Sequence, residues 1–327
     1  NTLFGSLSGS SVAASVAIGG VLIPMEEKEG YDKKFAAAVN IASAPTGLII
    51  PPSGILIIYP VLAGCSVVGM IMSGYIPGLM WALACMVVAY VIAKKNHYPT
   101  AGKVPASVFF KYFVDAIPSL LLIVIIVGGV MSGIFTATES AAVAVAYTLF
   151  LSIVVYRSIK IKDLPKILLD ACETTAVIMF LIAGSNVMSF VMSFTGLPSA
   201  IGNALISVSS NKYVILLIIN LVLLVVGCFM DITPAVLIFT PIFLPVVQSF
   251  GMDPIHFGIM MVMNLGIGNI TPPVGSSLFS GCSVADMDME DMIKPILPFY
   301  AAIFVALMLV AYVPWFSMAL PTLFGAV

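Results

Sequence analysis

Charge is what this sequence has least of. Only 13 basic and 15 acidic side chains stand among 327 residues, 9% of the chain, where a soluble domain carries roughly 25%. So few bases exclude the basic surface that neutralises a phosphate backbone, and nucleic-acid binding with it. No lysine is followed by Ser or Thr, which excludes a P-loop and disfavours ATP-driven transport by this chain. The five cysteines (Cys65, Cys85, Cys172, Cys228 and Cys282) lie in apolar runs without metal-type spacing and read as small core thiols. Of the two histidines, His97 sits in a loop and His256 at the start of a helix, so neither suggests a metal site. What is abundant is apolar surface, with 61% hydrophobic residues and a mean hydropathy of +1.16. An all-α polytopic membrane protein follows, since spans of about 20 residues leave room for roughly ten passes.

The scarce charges set the orientation. Most bases fall in three short loops: Lys28, Lys33 and Lys34; then Lys94, Lys95, Lys103 and Lys111; then Arg157, Lys160, Lys162 and Lys166. Two apolar runs separate each loop from the next, so all three face one side, which the excess of Lys and Arg makes cytoplasmic. The regions around Lys212 and Asp253 are poor in bases and are expected outside. The stretch 102–116 mixes Lys103, Lys111 and Asp115 with Phe109, Phe110 and Phe113, the composition of an interfacial amphipathic helix or of an ordinary loop.

An internal repeat runs through the chain. Displacing the sequence by 221 positions pairs Pro24 with Pro245, Gly30 with Gly251, Asp32 with Asp253 and Gly47 with Gly268. It also pairs Pro51-Pro52 with Pro272-Pro273 and Gly54 with Gly275. Chance likeness between apolar helices would match Leu and Val; these are structure-breaking residues. After a four-residue gap, Gly64-Cys-Ser-Val recurs at Gly281. Lys33 and Lys34 place the first copy's start inside, and Asp253 places the second copy's start outside, so the copies are inverted. Interrupted segments at matching positions of inverted repeats point to a secondary transporter with its site at the broken helices.

The domain order expected is therefore residues 1–64 as first-repeat transport elements (the second arm of a hairpin at 1–25, an interrupted helix at 35–64) and 65–212 as scaffold and connecting helices. Residues 213–286 supply the second-repeat elements (a re-entrant hairpin at 213–250, an interrupted helix at 256–286), and 287–327 a C-terminal scaffold helix. The opening at Asn1 inside an apolar stretch predicts that the first hairpin's other arm lies upstream.

Two consecutive prolines remove two backbone donors and exclude the preceding residue from helical geometry, so the helix opens in Gly47-Leu-Ile-Ile-Pro-Pro-Ser53-Gly54 and again in Gly266-Ile-Gly-Asn-Ile-Thr271-Pro-Pro-Val-Gly275. Freed carbonyls at membrane depth must be buried in protein or line a cavity, and a cation suits them; a plain proline kink is the simpler alternative. The hairpin tips are Gly5-Ser6-Leu7-Ser8-Gly9-Ser10-Ser11 and Met230-Asp231-Ile232-Thr233-Pro234. A carboxylate inside the membrane without a basic neighbour is a functional group by default. Asp231 and Thr233, with the carbonyls around Thr271, make a sodium site, unless Asp231 only caps a helix. Thr136-Ala-Thr-Glu139 reads as a capping box.

Taken in order, the Gly5–Ser11 tip, Ile49-Ile-Pro-Pro-Ser53, Thr136-Ala-Thr-Glu139-Ser-Ala-Ala-Val-Ala, Met230-Asp-Ile-Thr-Pro234 and Ile270-Thr-Pro-Pro273 resemble the large membrane subunit of the tripartite ATP-independent periplasmic (TRAP) transporters over essentially the whole chain. The resemblance implies an elevator-type carrier in the bacterial inner membrane, importing an organic acid of the sialic acid or C4-dicarboxylate class by sodium symport. It implies a small membrane subunit and a periplasmic binding protein as partners, sodium as coupling ion, and no organic cofactor. Carried over, sodium ligands would be Ser10, Ser11, Gly47, Ile50 and Ser53 at the first break, and Asp231, Thr233, Gly266, Gly268 and Thr271 at the second. Solute contacts would be Ser8, Ser11, Pro52, Asn269, Pro273 and Ser276. Two alternatives stand beside this: a dicarboxylate or citrate sodium symporter that needs no binding protein, and an intramembrane serine hydrolase using Ser8 and His256.

Overall fold

The computed structural model describes residues 1–99, 105–209 and 211–326, and these contain helices and no strand. Two units emerge, residues 1–99 with 188–327 and residues 100–187. The first begins with α1 (Thr2–Ser8), α2 (Ser11–Lys28), α3 (Lys33–Ser43), α4 (Thr46–Ile49), α5 (Ile55–Ala63), α6 (Val67–Ser73) and α7 (Tyr75–Lys95). The second holds α8 (Ala106–Met131), α9 (Ala137–Phe150) and most of α10 (Leu164–Thr195). The chain then continues in the first unit as α11 (Leu197–Val208), α12 (Lys212–Phe229), α13 (Ile232–Ser249), α14 (Pro254–Gly268), α15 (Ser276–Val284), α16 (Met289–Tyr312) and α17 (Trp315–Leu323).

The repeat predicted from the prolines and glycines holds at the level of helix boundaries. Adding 221 to α2 gives α13, and adding it to α5 gives α15, residue for residue. The caps repeat as well. Asp32 accepts from the backbone N–H of Lys34 (2.7 Å) and Phe35 (3.1 Å), and Asp253 from that of Ile255 (2.7 Å), so each interrupted helix starts on a carboxylate at its positive end. Gly30 and Gly251, which precede these caps, have φ of 93° and 78°, a region closed to most other side chains. Both Pro-Pro pairs, Pro51-Pro52 and Pro272-Pro273, contain a cis peptide bond.

Each hairpin crosses its own break where two glycines meet. A Cβ added at Gly47 would stand 2.6 Å from the Cα of Gly5, and one at Gly227 would stand 3.1 Å from the Cα of Gly268. The repeats then interlock: α15 packs on α2, and α5 packs on α13. At the centre lies α14, buried on every side from Ile255 to Gly268. At 15 residues it measures about 22 Å, too short to cross a 30 Å hydrocarbon layer alone. Trp81, Tyr59, Phe257 and Phe299 are the largest fully buried side chains. Their polar atoms are used: Trp81 Nε1 donates to the Ala42 carbonyl (2.9 Å) and the Tyr59 hydroxyl to that of Pro254 (2.6 Å). Gly74, which precedes α7, and Gly78 within it receive Ile49 and Ile50 of the first break.

Among the described residues seven helical spans are long and apolar enough to cross a membrane: 67–95, 110–130, 138–155, 161–192, 212–229, 232–249 and 289–312. The shortfall from about ten passes has a cause, for the breaks divide α3–α4–α5 and α14–α15 into pieces that do not span singly. The two arms of the second hairpin, by contrast, are each 18 residues long and reach spanning length. Four details differ from the sequence reading. Residues 1–25 are not one arm: α1 ends at Ser8, where α12 of the other repeat ends at Phe229, and the second arm begins with α2 at Ser11. Residues 106–116 form no separate interfacial element but the first turns of α8, which continues through Pro118 to Met131; residues 102–104 lie outside the described ones. The C-terminal segment is two helices, because Pro314 cannot continue α16. The 65–212 scaffold segment likewise divides, its residues 100–187 forming the second unit. Within that unit the expected capping box is present: the Glu139 N–H donates to the Thr136 hydroxyl (3.3 Å) and the Thr136 N–H to the Glu139 carboxylate (2.8 Å).

Candidate functional site

Both hairpin tips and both breaks belong to the first unit, and a polar cluster joins three of the four. Ser11, the first residue of α2, is buried, and its hydroxyl meets that of Ser277 in α15. Asn269, in the second break, donates from Nδ2 to Ser11 (2.8 Å) and to Ser277 (3.1 Å). Its Oδ1 accepts from Ser276, whose hydroxyl also lies 3.3 Å from Asp231 Oδ1. The first tip therefore reaches the second break through Ser11, and the second tip reaches it through Asp231. The cluster extends along α2, where the Ser15 hydroxyl donates to the Ser277 carbonyl (3.3 Å) and the Asn40 amide to the Ser15 carbonyl (2.8 Å).

The expected ligands of the first break fall into different roles. Ser10 is the N-cap of α2, its hydroxyl accepting from the Ala13 N–H (3.2 Å). Ser11 turns away to the second break, because Asn269 and Ser277 offer it partners where the first break offers Leu48 and Leu56. Gly47 is the contact point with Gly5, and Ile50 is buried against Gly78. The Ser53 hydroxyl is 2% exposed and has no hydrogen-bond partner, a condition that costs about 1–3 kcal/mol and calls for an explanation. The tip glycine, Gly9, lies over the break; a Cβ there would stand 3.3 Å from the Pro52 carbonyl oxygen.

At the second break Asp231 occupies the N-cap position of α13 without a side-chain capping bond, its carboxylate directed to Ser276 instead. Thr233 lies in the first turn of α13, half-buried. Gly268 abuts Gly227, whereas Gly266 faces Trp81 and Pro45. Many of the carbonyls freed by the prolines are already engaged. Thr271 donates from its hydroxyl to Ile267 O (2.7 Å) and from its N–H to Gly268 O (2.9 Å), the Ser277 N–H donates to Asn269 O (3.1 Å), and the Tyr300 hydroxyl of α16 donates to Ile270 O. The Val274 N–H in turn donates to Cys228 O at the hairpin's end (3.2 Å).

Of the expected solute contacts, Asn269 and Ser276 lie inside the cluster, Pro52 is half-buried, and Ser8 and Pro273 are exposed. Four participants escaped the sequence reading: Ser15, Asn40, Ser277 and Tyr300. Ser15 had a signal, since Ser11 and Ser15 are one turn apart on an otherwise apolar helix. Asn40 is a lone amide in an Ala-rich helix. Nothing local marks Tyr300, which arrives from α16.

His256 does not pair with Ser8. Its Nε2 is 2.8 Å from the Val310 carbonyl, and the Ser8 hydroxyl bonds within its own tip to Gly5 O and Ser10 O. Two hairpin tips thus meet one break at a polar cluster whose Ser11, Asn269 and Ser277 are buried. The model of the DctM component of tripartite ATP-independent periplasmic transporters matches residues 1–316. The chain belongs to this family. It is 51% identical over 326 residues to the YgiK protein of Salmonella typhimurium, covering 99% of this chain and 75% of that one. It is 38% identical over 323 residues to the C4-dicarboxylate TRAP transporter large permease DctM of Pseudomonas aeruginosa, covering 99% of this chain and 76% of the relative. It is also 38% identical over 322 residues to the sialic acid TRAP transporter large permease SiaM of Vibrio cholerae, covering 98% and 75%. The chain thus spans about three quarters of the length of these relatives. As a member of this family it is a transporter permease rather than an enzyme, and its apolar helical spans make it a multi-pass inner-membrane protein.

Proposed function

We propose that this chain is the large membrane subunit of a sodium-coupled importer of an organic acid, of the C4-dicarboxylate or sialic acid class. It would work with a small membrane subunit and a periplasmic binding protein that delivers the solute. The observation that carries the reading is the cluster Asp231, Ser276, Asn269, Ser11 and Ser277, where both hairpin tips converge on one break.

Two features support sodium as the coupled ion. Hard monovalent cations take oxygen ligands, and the Ser53 hydroxyl is a buried oxygen with no protein partner. Asp231 is a carboxylate that caps nothing, meets the Ser276 hydroxyl and stays exposed, so that a cation can reach it in an otherwise apolar hairpin. In this reading Ser53, with backbone oxygens of 47–53, holds one ion, and Asp231, Thr233 and backbone oxygens of 266–271 hold the other. The solute carboxylate finds hydroxyl and amide donors at Ser276 and Asn269, no Lys or Arg being in the cluster.

The test is uptake into proteoliposomes holding the full-length subunit with its small partner. Succinate and sialic acid are each supplied with and without an inward sodium gradient, and with and without the binding protein. Uptake that needs both sodium and the binding protein is expected. Uptake that ignores the sodium gradient would overturn the symport reading, and uptake without binding protein the tripartite one.

A further inference from the structure

The inverted repeat places Tyr31 and Phe35 of the first copy opposite Met252 and His256 of the second. In the first copy the pair holds a ring of the chain's own. The Tyr98 ring centroid lies 4.9 Å from that of Tyr31 and 5.3 Å from that of Phe35, and the Tyr31 hydroxyl donates to the Pro99 carbonyl (3.0 Å). In the second copy the same two positions line a cavity of about 220 Å³, whose walls also include Lys212, Tyr213, Asp253 and Tyr312. The correspondence extends to the helices that follow. With the four-residue gap, Lys95 at the end of α7 matches Tyr312 at the end of α16, and Tyr98 matches Trp315. Trp315 does not fold back as Tyr98 does; it is 63% exposed and packs edge-on to Phe316.

We propose that this cavity is a docking site for an aromatic side chain presented by the periplasmic binding protein. The inference rests on the tripartite reading and on the basic loops, which put residues 212 and 253 on the outer face. Its walls are already fixed. The Tyr312 hydroxyl donates to the Tyr213 carbonyl (3.1 Å), the two rings meet edge-to-face at 5.8 Å, and His256 is held by the Val310 carbonyl. A pre-formed pocket spares the ordering cost of binding, and aromatic anchors in such pockets carry a large share of interface energy. Lys212 and Asp253 in its lining supply one charge of each sign to fix the partner's register. An interfacial aromatic belt accounts for exposed Tyr213 and Trp315, but not for a hollow where the other repeat holds a ring.

The experiment measures the affinity of the binding protein for the full-length two-subunit complex in nanodiscs. The wild type is compared with Met252→Trp, which fills the cavity, with Leu216→Phe, which narrows it from α12, and with Lys34→Ala on the opposite face. Met252→Trp and Leu216→Phe are expected to weaken binding at least tenfold and threefold, with Lys34→Ala unchanged and thermal unfolding of all four within a few degrees. Unchanged affinity in both filling variants would overturn the proposal, as would their release of co-purifying phospholipid without any loss of affinity, which would make a lipid the occupant. A wild-type complex that binds no binding protein would overturn the tripartite reading itself.

Discussion

The two repeats share a skeleton and differ in what they hang on it. Arms, caps, prolines and post-break helices coincide at a displacement of 221. At the breaks, however, Leu48, Ile55 and Leu56 of the first stand where the second has Asn269, Ser276 and Ser277. The first break keeps one buried hydroxyl, Ser53, without a partner; the second is a hydrogen-bonded cluster that draws in Ser11 from the other repeat. Pro, Gly and Asp thus set the fold twice over, and the variable polar positions between them decide that the two halves are not interchangeable. The polar cluster is centred on one break of a nearly symmetric frame.

The largest expected effect attacks the shared skeleton. Gly268→Leu forces a side chain into the backbone of Gly227, an overpacking worth more than the usual 1–3 kcal/mol. Loss of the monodisperse peak in size-exclusion chromatography is expected, and Gly47→Leu should do the same at the first break. Next comes the charge. Asp231→Asn should leave the amount of folded protein intact and reduce sodium-driven uptake at least tenfold, measured as initial rates in proteoliposomes. Third is the asymmetry itself: Asn269→Leu makes the second break resemble the first and should cut uptake several-fold, whereas Leu48→Asn should change uptake little and lower thermal stability. Smaller still, Ser10→Ala removes the α2 cap and should cost about 1 kcal/mol of stability, read by thermal unfolding in detergent. Smallest is Lys34→Ala, which removes an ion pair with Asp291 whose side chains are both about half exposed and should cost under about 1 kcal/mol.

Much of the skeleton was legible because Pro-Pro pairs, capping carboxylates and positive-φ glycines act locally. A double proline opens a helix wherever it stands, and Asp32 and Asp253 cap whichever segment follows. The capping box at Thr136 and Glu139 was readable for the same reason. Tertiary choices were not. That Ser11 turns to the second break depends on α15 lying against α2, and that Ile270 O is taken depends on Tyr300, thirty residues further on. The composition of 102–116 fits an amphipathic helix or a loop, but nothing at Pro118 obliges α8 to end, since its neighbours continue in helical geometry. The Gly5–Gly47 and Gly227–Gly268 contacts were visible as glycines but not as partners.

The central proposal is that both breaks hold coupling ions although only the second carries a hydrogen-bonded polar cluster. It is tested most directly by the sodium dependence of solute uptake for the wild type, Ser53→Ala and Asp231→Asn side by side in proteoliposomes. The account predicts that each substitution raises the sodium concentration for half-maximal uptake at least tenfold while the protein remains folded. Half-activation unchanged from the wild type in both variants would contradict it.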